Sequence, residues 1–280
     1  MKRFKYPVIL NNLRGAKKEV IFLFKRILSD IKSLKIQGAE NVAKAGLKAY
    51  SLKPTKGTIK KLLKLRVTEP LLKNSLEHAE KHGVNETLKV LKEKNKKIVD
   101  YGFKLIRSNS NVFTHCHSST VMDILKKAKD SKKKFMVFNT ETRPLYQGRK
   151  TARELAKYKI KVVNFIDSAF KVVLVKNKIN LMIVGADAIT KKGVYNKIGS
   201  GMFAEIAYRH KVPVYIAANS WKFERRVEVE KRNFKEVWDT MFKNIKVQNI
   251  AFGLIEKKYI KGVICEYGVL SFSGFLRKVK

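Results

Sequence analysis

The sequence predicts an α/β chain in two parts. A helical N-terminal domain covers residues 1–108, and a doubly wound, mostly parallel Rossmann-like sheet domain covers 109–280. Three observations predict it. Apolar residues recur at helical spacing through the N-terminal part. The polar stretch Ser108-Asn109-Ser110 then breaks that texture. Beyond it, short apolar runs alternate with helical segments, the pattern of a parallel sheet covered on both faces.

Each element has its own signal. Glu19–Leu34 puts Val20, Phe24, Ile27, Leu28, Ile31 and Leu34 on one helix face. Val42–Leu52 is alanine-rich and helical, with Pro54 just past its end. Pro70 opens a helix through Leu71, Leu72 and Leu76. Asn85–Ile106 reads as a long helix with Leu88, Leu91, Ile98, Val99, Leu105 and Ile106 facing inward. Buried strands are expected at Val112–His115, Phe135–Asn139, Val162–Ile166, Leu181–Val184 and Val214–Ala218. Helices are expected at Thr120–Lys129, Lys150–Tyr158 and Ile198–His210. No internal repeat is present.

Composition narrows the function classes. Hydrophobic residues make up 45% of 280 positions, which excludes wholesale disorder. The longest apolar runs, such as Val20–Phe24, fall far short of the roughly 20 residues of a membrane span. Met1-Lys2-Arg3-Phe4-Lys5 has no apolar segment behind it, so no secretory signal is expected. Cys116 and Cys265 are too few for a disulfide scaffold, and a reducing, cytoplasmic setting is the expectation. The formal net charge is +39, which draws polyanions and phosphates at long range. Lysine is spread over the whole chain, and Lys94-Asn-Lys-Lys97, Lys132–Lys134 and Lys257-Lys258 fall where solvated faces are expected. The charge therefore reads as compositional, and nucleic acid would bind only non-specifically.

Ligands of such sheets bind outside the carboxyl ends of the strands. Those positions hold Cys116-His117-Ser118-Ser119, Thr140–Pro144, Asp167-Ser168, Gly185-Ala186-Asp187 and Asn219–Lys222. Cys116 is either a small buried hydrophobe or a base, with the N–H groups of the next helix favouring a thiolate or a phosphate. His115 and His117 flank it, but adjacent residues in a strand point to opposite faces and a metal would need ligands from elsewhere, which makes a metal site the weaker alternative. Asp187 is either a turn residue or a general acid whose pKa desolvation raises. Asn196–Gly201 opens a helix and can cradle an anion, or is an ordinary loop. In the polar turn of Arg143, Gln147, Gly148 and Arg149, an arginine clamps phosphate or holds Glu141.

Several motifs occur in the order and spacing of one superfamily. They are Thr114-His-Cys-His-Ser-Ser119, Glu141-Thr-Arg-Pro-Leu-Tyr-Gln-Gly-Arg149, Gly185-Ala-Asp187, Asn196-Lys-Ile-Gly199 and Trp221-Lys-Phe223. Ile36–Ala39, Thr68-Glu-Pro70 and Asn249–Phe252 extend the match over nearly the whole chain. The chain resembles archaeal ribose-1,5-bisphosphate isomerases. These are related to methylthioribose-1-phosphate isomerases and to the alpha, beta and delta regulatory subunits of the initiation-factor 2B complex. The isomerases carry a catalytic Cys and Asp, which the regulatory subunits generally do not retain, and this chain has Cys116 and Asp187 at those places.

The resemblance implies an aldose–ketose isomerase. Cys116 would take the proton from sugar carbon two, and Asp187 would open the furanose ring and shuttle protons. Ser118, Ser119 and Thr120 would meet a phosphate. Asn196, Lys197, Lys222 and Arg66 would hold hydroxyl and phosphate groups, and Gln37, Gly38, Ala39 and Glu40 would line the pocket. The isomerases usually have Arg-Gly-Ala at Gln37-Gly38-Ala39, with Lys35 near enough in sequence to compensate. No metal or organic cofactor is implied. A homodimer or trimer of dimers is implied, and a nucleotide effector is left open. The alternatives are a non-catalytic regulatory subunit that binds sugar phosphates or nucleotides, and a methylthioribose-1-phosphate isomerase.

Overall fold

The computed structural model describes residues 13–240 and 242–279. The basic start at 1–5, with its expected lack of a signal, lies outside them. Five helices come first, α1 (Leu13–Lys32), α2 (Ala39–Leu52), α3 (Lys56–Leu65), α4 (Pro70–His82) and α5 (Val84–Leu105). Their core contains Ile31, Val42, Leu47, Leu62, Leu72 and Leu76, all fully buried. Pro70 sits at the first helical position of α4, where a missing N–H costs nothing. Helix α3 was not anticipated, because its run of lysines resembles a linker. Its cap is the available signal, since the Thr55 hydroxyl accepts from the Thr58 N–H at 3.1 Å.

One expected inward face needs correction. The buried stripe of α5 runs through Thr87, Leu91, Ile98 and Gly102. Leu88 lies one position off this stripe and is exposed. Lys94 falls on the stripe, three residues past Leu91, so it is drawn inward rather than solvated as its lysine-rich run suggested.

The rest of the chain winds a sheet. Its parallel strands are β1 (Ser110–Thr114), β2 (Phe135–Thr140), β3 (Lys161–Phe165), β4 (Leu181–Val184), β7 (Val214–Ala217) and β9 (Gly262–Cys265). Between and after them lie α6 (Ser119–Asp130), α7 (Gln147–Lys157), α8 (Phe170–Lys176), α9 (Ser200–Arg209) and α10 (Phe272–Lys278). With β10 (Gly268–Leu270) the sheet has seven strands in the order β10-β9-β7-β4-β1-β2-β3. Every pairing in it is parallel except β10 with β9. The chain runs outward from β1 through β2 to β3 and then returns to start β4 on the other side of β1. The strand order therefore switches between β1 and β4, and the crevice beyond their carboxyl ends is where such sheets bind ligands.

Two apolar layers cover the sheet. Phe113, Phe170 and Phe203 stack on one face with ring centroids 4.3 to 5.6 Å apart. On the other, Val121, Ile124 and Leu125 of α6 pack with Val137, Leu155 and Ile98 of α5. The long helix thus joins the helical part to the sheet.

Three further expectations change. Strand β3 is an edge strand rather than a buried one, with Val163 and neighbouring Ile166 exposed. A second, antiparallel sheet of β5 (Ala188–Thr190), β6 (Gly193–Lys197) and β8 (Phe252–Glu256) was not anticipated. Asn196 and Lys197 consequently sit on β6, and the helix they were expected to open begins only at Ser200. Among the described residues, no helix is long and apolar enough to cross a membrane.

Gly148 shows how tightly α7 meets the sheet. A Cβ there would stand 1.7 Å from the Thr140 carbonyl oxygen. Backbone cannot yield as a side chain can, so Gly148→Ala is expected to destabilise the protein by about 2 kcal/mol or more. A thermal melt checks this, and an unchanged midpoint would show that α7 has room to move.

Candidate active site

One cleft opens at the switch point, and both Cys116, beyond β1, and Asp187, beyond β4, line it. Its cavity volume is about 90 Å³, with further space open to solvent at its mouth. The helical part closes one wall with Gln37, Gly38, Ala39, Glu40 and Arg66. Ser118, Ser119, Asn196, Lys197 and Lys222 also line the cleft.

Cys116 is held in an uncommon backbone conformation, with φ of 65°. A non-glycine residue stays in this left-handed region only when its surroundings impose it. Here the Cys116 N–H donates to the Thr142 hydroxyl at 3.0 Å, and its carbonyl accepts from the Thr151 hydroxyl at 2.7 Å. Thr142 is fixed in turn by Asp167, whose two carboxylate oxygens accept the Thr142 and Arg143 N–H groups at 3.0 and 2.7 Å. Burial pushes the Cys116 thiol up to about 11, against the pull of Lys197. The expectation that the nearby helix start would favour a thiolate is overturned, since desolvation dominates and the resting group is a neutral thiol.

The flanking histidines are occupied elsewhere. His115 Nε2 donates to the Ile198 carbonyl at 2.9 Å, which leaves Nδ1 to accept from the Thr140 hydroxyl at 2.6 Å. Burial holds His115 near 4, so it is neutral. The Thr151 hydroxyl spends its proton on Cys116, so it accepts from His117 Nδ1 at 3.0 Å. Both rings thus brace the Cys116 loop. Among the described residues, no three His, Cys, Asp or Glu side chains converge in a way that could hold a metal ion.

Burial pushes the Asp187 carboxyl above its ordinary range, opposed by Lys222, Lys197 and Arg66. Lys222 is buried and donates from Nζ to the Ala186 carbonyl at 2.6 Å, beside Asp187. Lys197 Nζ stands over the Phe252 ring, 4.8 Å from its centroid. Asn196 Nδ2 donates to the Ser200 hydroxyl at 3.1 Å. Arg66 is buried between Glu69 at 2.7 Å and Glu230 at 3.1 Å. Its Nη1, also buried, has no partner among the described residues. Glu40 accepts from the Ser119 hydroxyl at 2.7 Å and pairs with Lys44. Burial opposes the charge of Glu40, but these partners hold the carboxyl below its ordinary range.

Two expected contacts are not made. Thr120 is buried in the second residue of α6 and does not line the cleft, because Ser118 takes the capping position. Lys35 lies 3.8 Å from Asp30 with its side chain in solvent outside the cleft, so it does not compensate for Gln37. In the polar turn, Arg149 holds Glu141 at 2.7 Å, which settles that choice in favour of the ion pair.

Sequence reasoning missed Glu69, Lys150, Glu230 and Arg232. Lys150, Glu230 and Arg232 line the cleft, and Glu69 supports Arg66. Glu230 and Arg232 lie in an irregular stretch with no periodicity to place them. Glu69 was visible only as part of the Thr68-Glu-Pro70 motif.

Fold and cleft together define an α/β protein with a cation-rich small-molecule site at the switch point of its sheet. The chain belongs to the initiation factor 2 subunit family, whose model matches residues 28–272. It is similar to the ribose 1,5-bisphosphate isomerase of Methanocaldococcus jannaschii, at 32% identity over 90% of this chain and 92% of that protein. The methylthioribose-1-phosphate isomerase of Fervidobacterium nodosum is 35% identical over 72% of this chain and 66% of its own length. The crystal structure of the Pyrococcus horikoshii OT3 translation initiation factor eIF-2B matches with a TM-score of 0.81 and 28% identity, covering 92% of this chain and 98% of that one.

Proposed function

We propose that this isomerase of the initiation factor 2 subunit family converts ribose 1,5-bisphosphate to ribulose 1,5-bisphosphate. The observation that carries the reading is the meeting of Cys116 and Asp187 in one cation-lined cleft. Aldose–ketose isomerisation needs one group that takes a proton from carbon and one that gives a proton to oxygen. Cys116 first gives its proton to the Asp187 carboxylate, and the thiolate so formed takes the proton from carbon two. The carbon–hydrogen electron pair forms the double bond between carbons one and two, and the bond from carbon one to the ring oxygen breaks. Asp187 donates the proton that oxygen needs. Its carboxylate then accepts the hydroxyl proton of carbon two as the carbonyl forms, and the Cys116 thiol returns a proton to carbon one. The balance is a hydrogen moved from carbon two to carbon one and a ring opened.

Two phosphates need two anion sites. Lys197, Lys222 and Arg66, whose buried Nη1 is unpaired among the described residues, serve one. Ser118, Ser119 and Gln37 serve the other at the start of α6. The boundary between a helical domain and a sheet domain near residue 108 belongs to the same proposal. So does assembly into a homo-oligomer, for which exposed Trp238, Phe242 and Ile250 offer apolar surface.

Incubating the purified protein with ribose 1,5-bisphosphate tests the reading. Ketose is expected from the wild type. Absence of ketose, alongside tight binding of the sugar phosphate, would favour a regulatory subunit instead. The pH profile follows from the same pair, which works while holding one proton between thiol and carboxyl. The upper limit lies near the thiol value of about 11. The lower limit is set by Asp187, so kcat/KM is expected to fall on the acid side as the pair takes a second proton. Asp187→Asn should abolish that acid limb in whatever residual rate it retains.

A further inference from the structure

The reaction uses Lys222 beside Asp187, yet Lys222 sits on a short turn with little structure of its own. This turn, Ser220–Lys222, follows β7 and is a single 3-10 turn. The neighbouring strand β9 runs parallel to β7 and ends at Cys265, which puts Glu266 at the same edge of the sheet. Glu266 is buried, at 7% exposure. Its Oε2 accepts the Ser220 N–H at 3.0 Å, and its Oε1 accepts the Ser220 hydroxyl. Lys94 of α5 pairs with the same Oε1 and donates to the Ser220 hydroxyl oxygen at 3.1 Å. The Lys94 ammonium also lies 5.2 Å from the centre of the Trp221 ring. From α4, Asn74 Nδ2 donates to the Trp221 carbonyl at 2.7 Å.

We propose that Glu266 and Lys94 are positioning residues that lock the Ser220–Lys222 turn and so hold the Lys222 ammonium beside Asp187. Neither side chain lines the cleft. A buried carboxylate and ammonium that touch no ligand are costly to bury unless paired, and here they pair with each other and both bond Ser220. The turn has no other side-chain anchor from the sheet domain among the described residues. The helical part therefore reaches the reacting acid through α5, Lys94 and the turn. The kinetic consequence rests on the isomerase reading, but the positional one does not.

Asp187 reports the position of Lys222. It faces Lys222, Lys197 from β6, Arg66 from the end of α3, and the carboxylates Glu69 and Glu230, with the Cys116 thiol across the cleft. Lys222 holds the Asp187 carboxyl down, so retreat of Lys222 raises it.

The experiment is a carbon-13 NMR titration of the Asp187 carboxyl in the wild type, Glu266→Gln, Lys222→Met and the double variant. Lys222→Met should raise the Asp187 midpoint by about one pH unit. Glu266→Gln should raise it in the same direction, and the double variant should match Lys222→Met alone. The acid limb of kcat/KM should move upward with the midpoint in Glu266→Gln. An unmoved Asp187 midpoint in Glu266→Gln would overturn the inference. So would an added shift in the double variant, since Glu266 would then act by a route other than Lys222. If Glu266→Gln does not fold, Lys94→Met and Ser220→Ala are expected to give smaller shifts of the same sign, and no shift in either counts against the inference. Coupled midpoints in a protein that turns over no substrate would sink the isomerase reading and leave the positioning role standing.

Discussion

Cys116→Ser is expected to lower turnover of ribose 1,5-bisphosphate by about a thousandfold or more, with the fold and the binding of substrate nearly unchanged. The physical reason is proton affinity. Serine fills almost the same space, and its backbone is held by the Thr142 and Thr151 hydroxyls just as cysteine is. A hydroxyl, however, is a far weaker acid than a thiol, so the basic form needed at carbon two is not populated in this buried place. The thiol itself is already pushed up to about 11, and the replacement worsens an unfavourable ionisation rather than creating one. Initial rates with saturating substrate, paired with calorimetric binding, measure both halves. Equal loss of binding would assign Cys116 to substrate contact instead of proton transfer.

Arg66→Met is expected to have the largest effect on stability. The guanidinium lies between Glu69 and Glu230, with Arg66 and Glu69 buried and Glu230 half-buried. Removing it leaves two carboxylates facing one another, with Arg232 at 3.2 Å as the remaining cation on Glu230. Breaking a buried pair by deleting one partner costs about 3–5 kcal/mol. For a chain of this size that lowers the melting midpoint by about 10 °C. Burial pushes Glu69 up to about 8 even with Arg66 present, and losing the arginine raises it further. The variant then binds more protons than the wild type at pH 8 and above, so its deficit should narrow as the pH falls toward 8 and level off below it. Melts at pH 9.5 and pH 7 read this directly, and a deficit that is constant between them would mean that Glu69 stays ionised or finds another partner.

The parallel sheet was legible because strands such as Leu181–Val184 and Val214–Ala217 are runs of apolar residues, and such runs leave a reader little choice. The antiparallel addition was not, because Gly193–Lys197 mixes Tyr, Asn and Lys and pairs with a strand nearly sixty residues away. Cys116 and Asp187 could be singled out from their places just after strands. Their meeting could not, since it depends on β1 and β4 being neighbours, which no local pattern states. Lys94 shows the converse difficulty. Its neighbours Lys96 and Lys97 are exposed, and only the phase of the helix separates it from them. The thiol's ionisation was misjudged for a similar reason, because helix starts are visible in sequence and depth of burial is not.

The most direct test is a crystal structure of the Cys116→Ser protein with ribose 1,5-bisphosphate bound. The account predicts carbon two within about 3.5 Å of the hydroxyl oxygen that replaces the Cys116 sulfur, and the ring oxygen at hydrogen-bond distance from the Asp187 carboxyl. A sugar seated with carbon two turned away from that hydroxyl, or with Asp187 on no oxygen of the sugar, would contradict it.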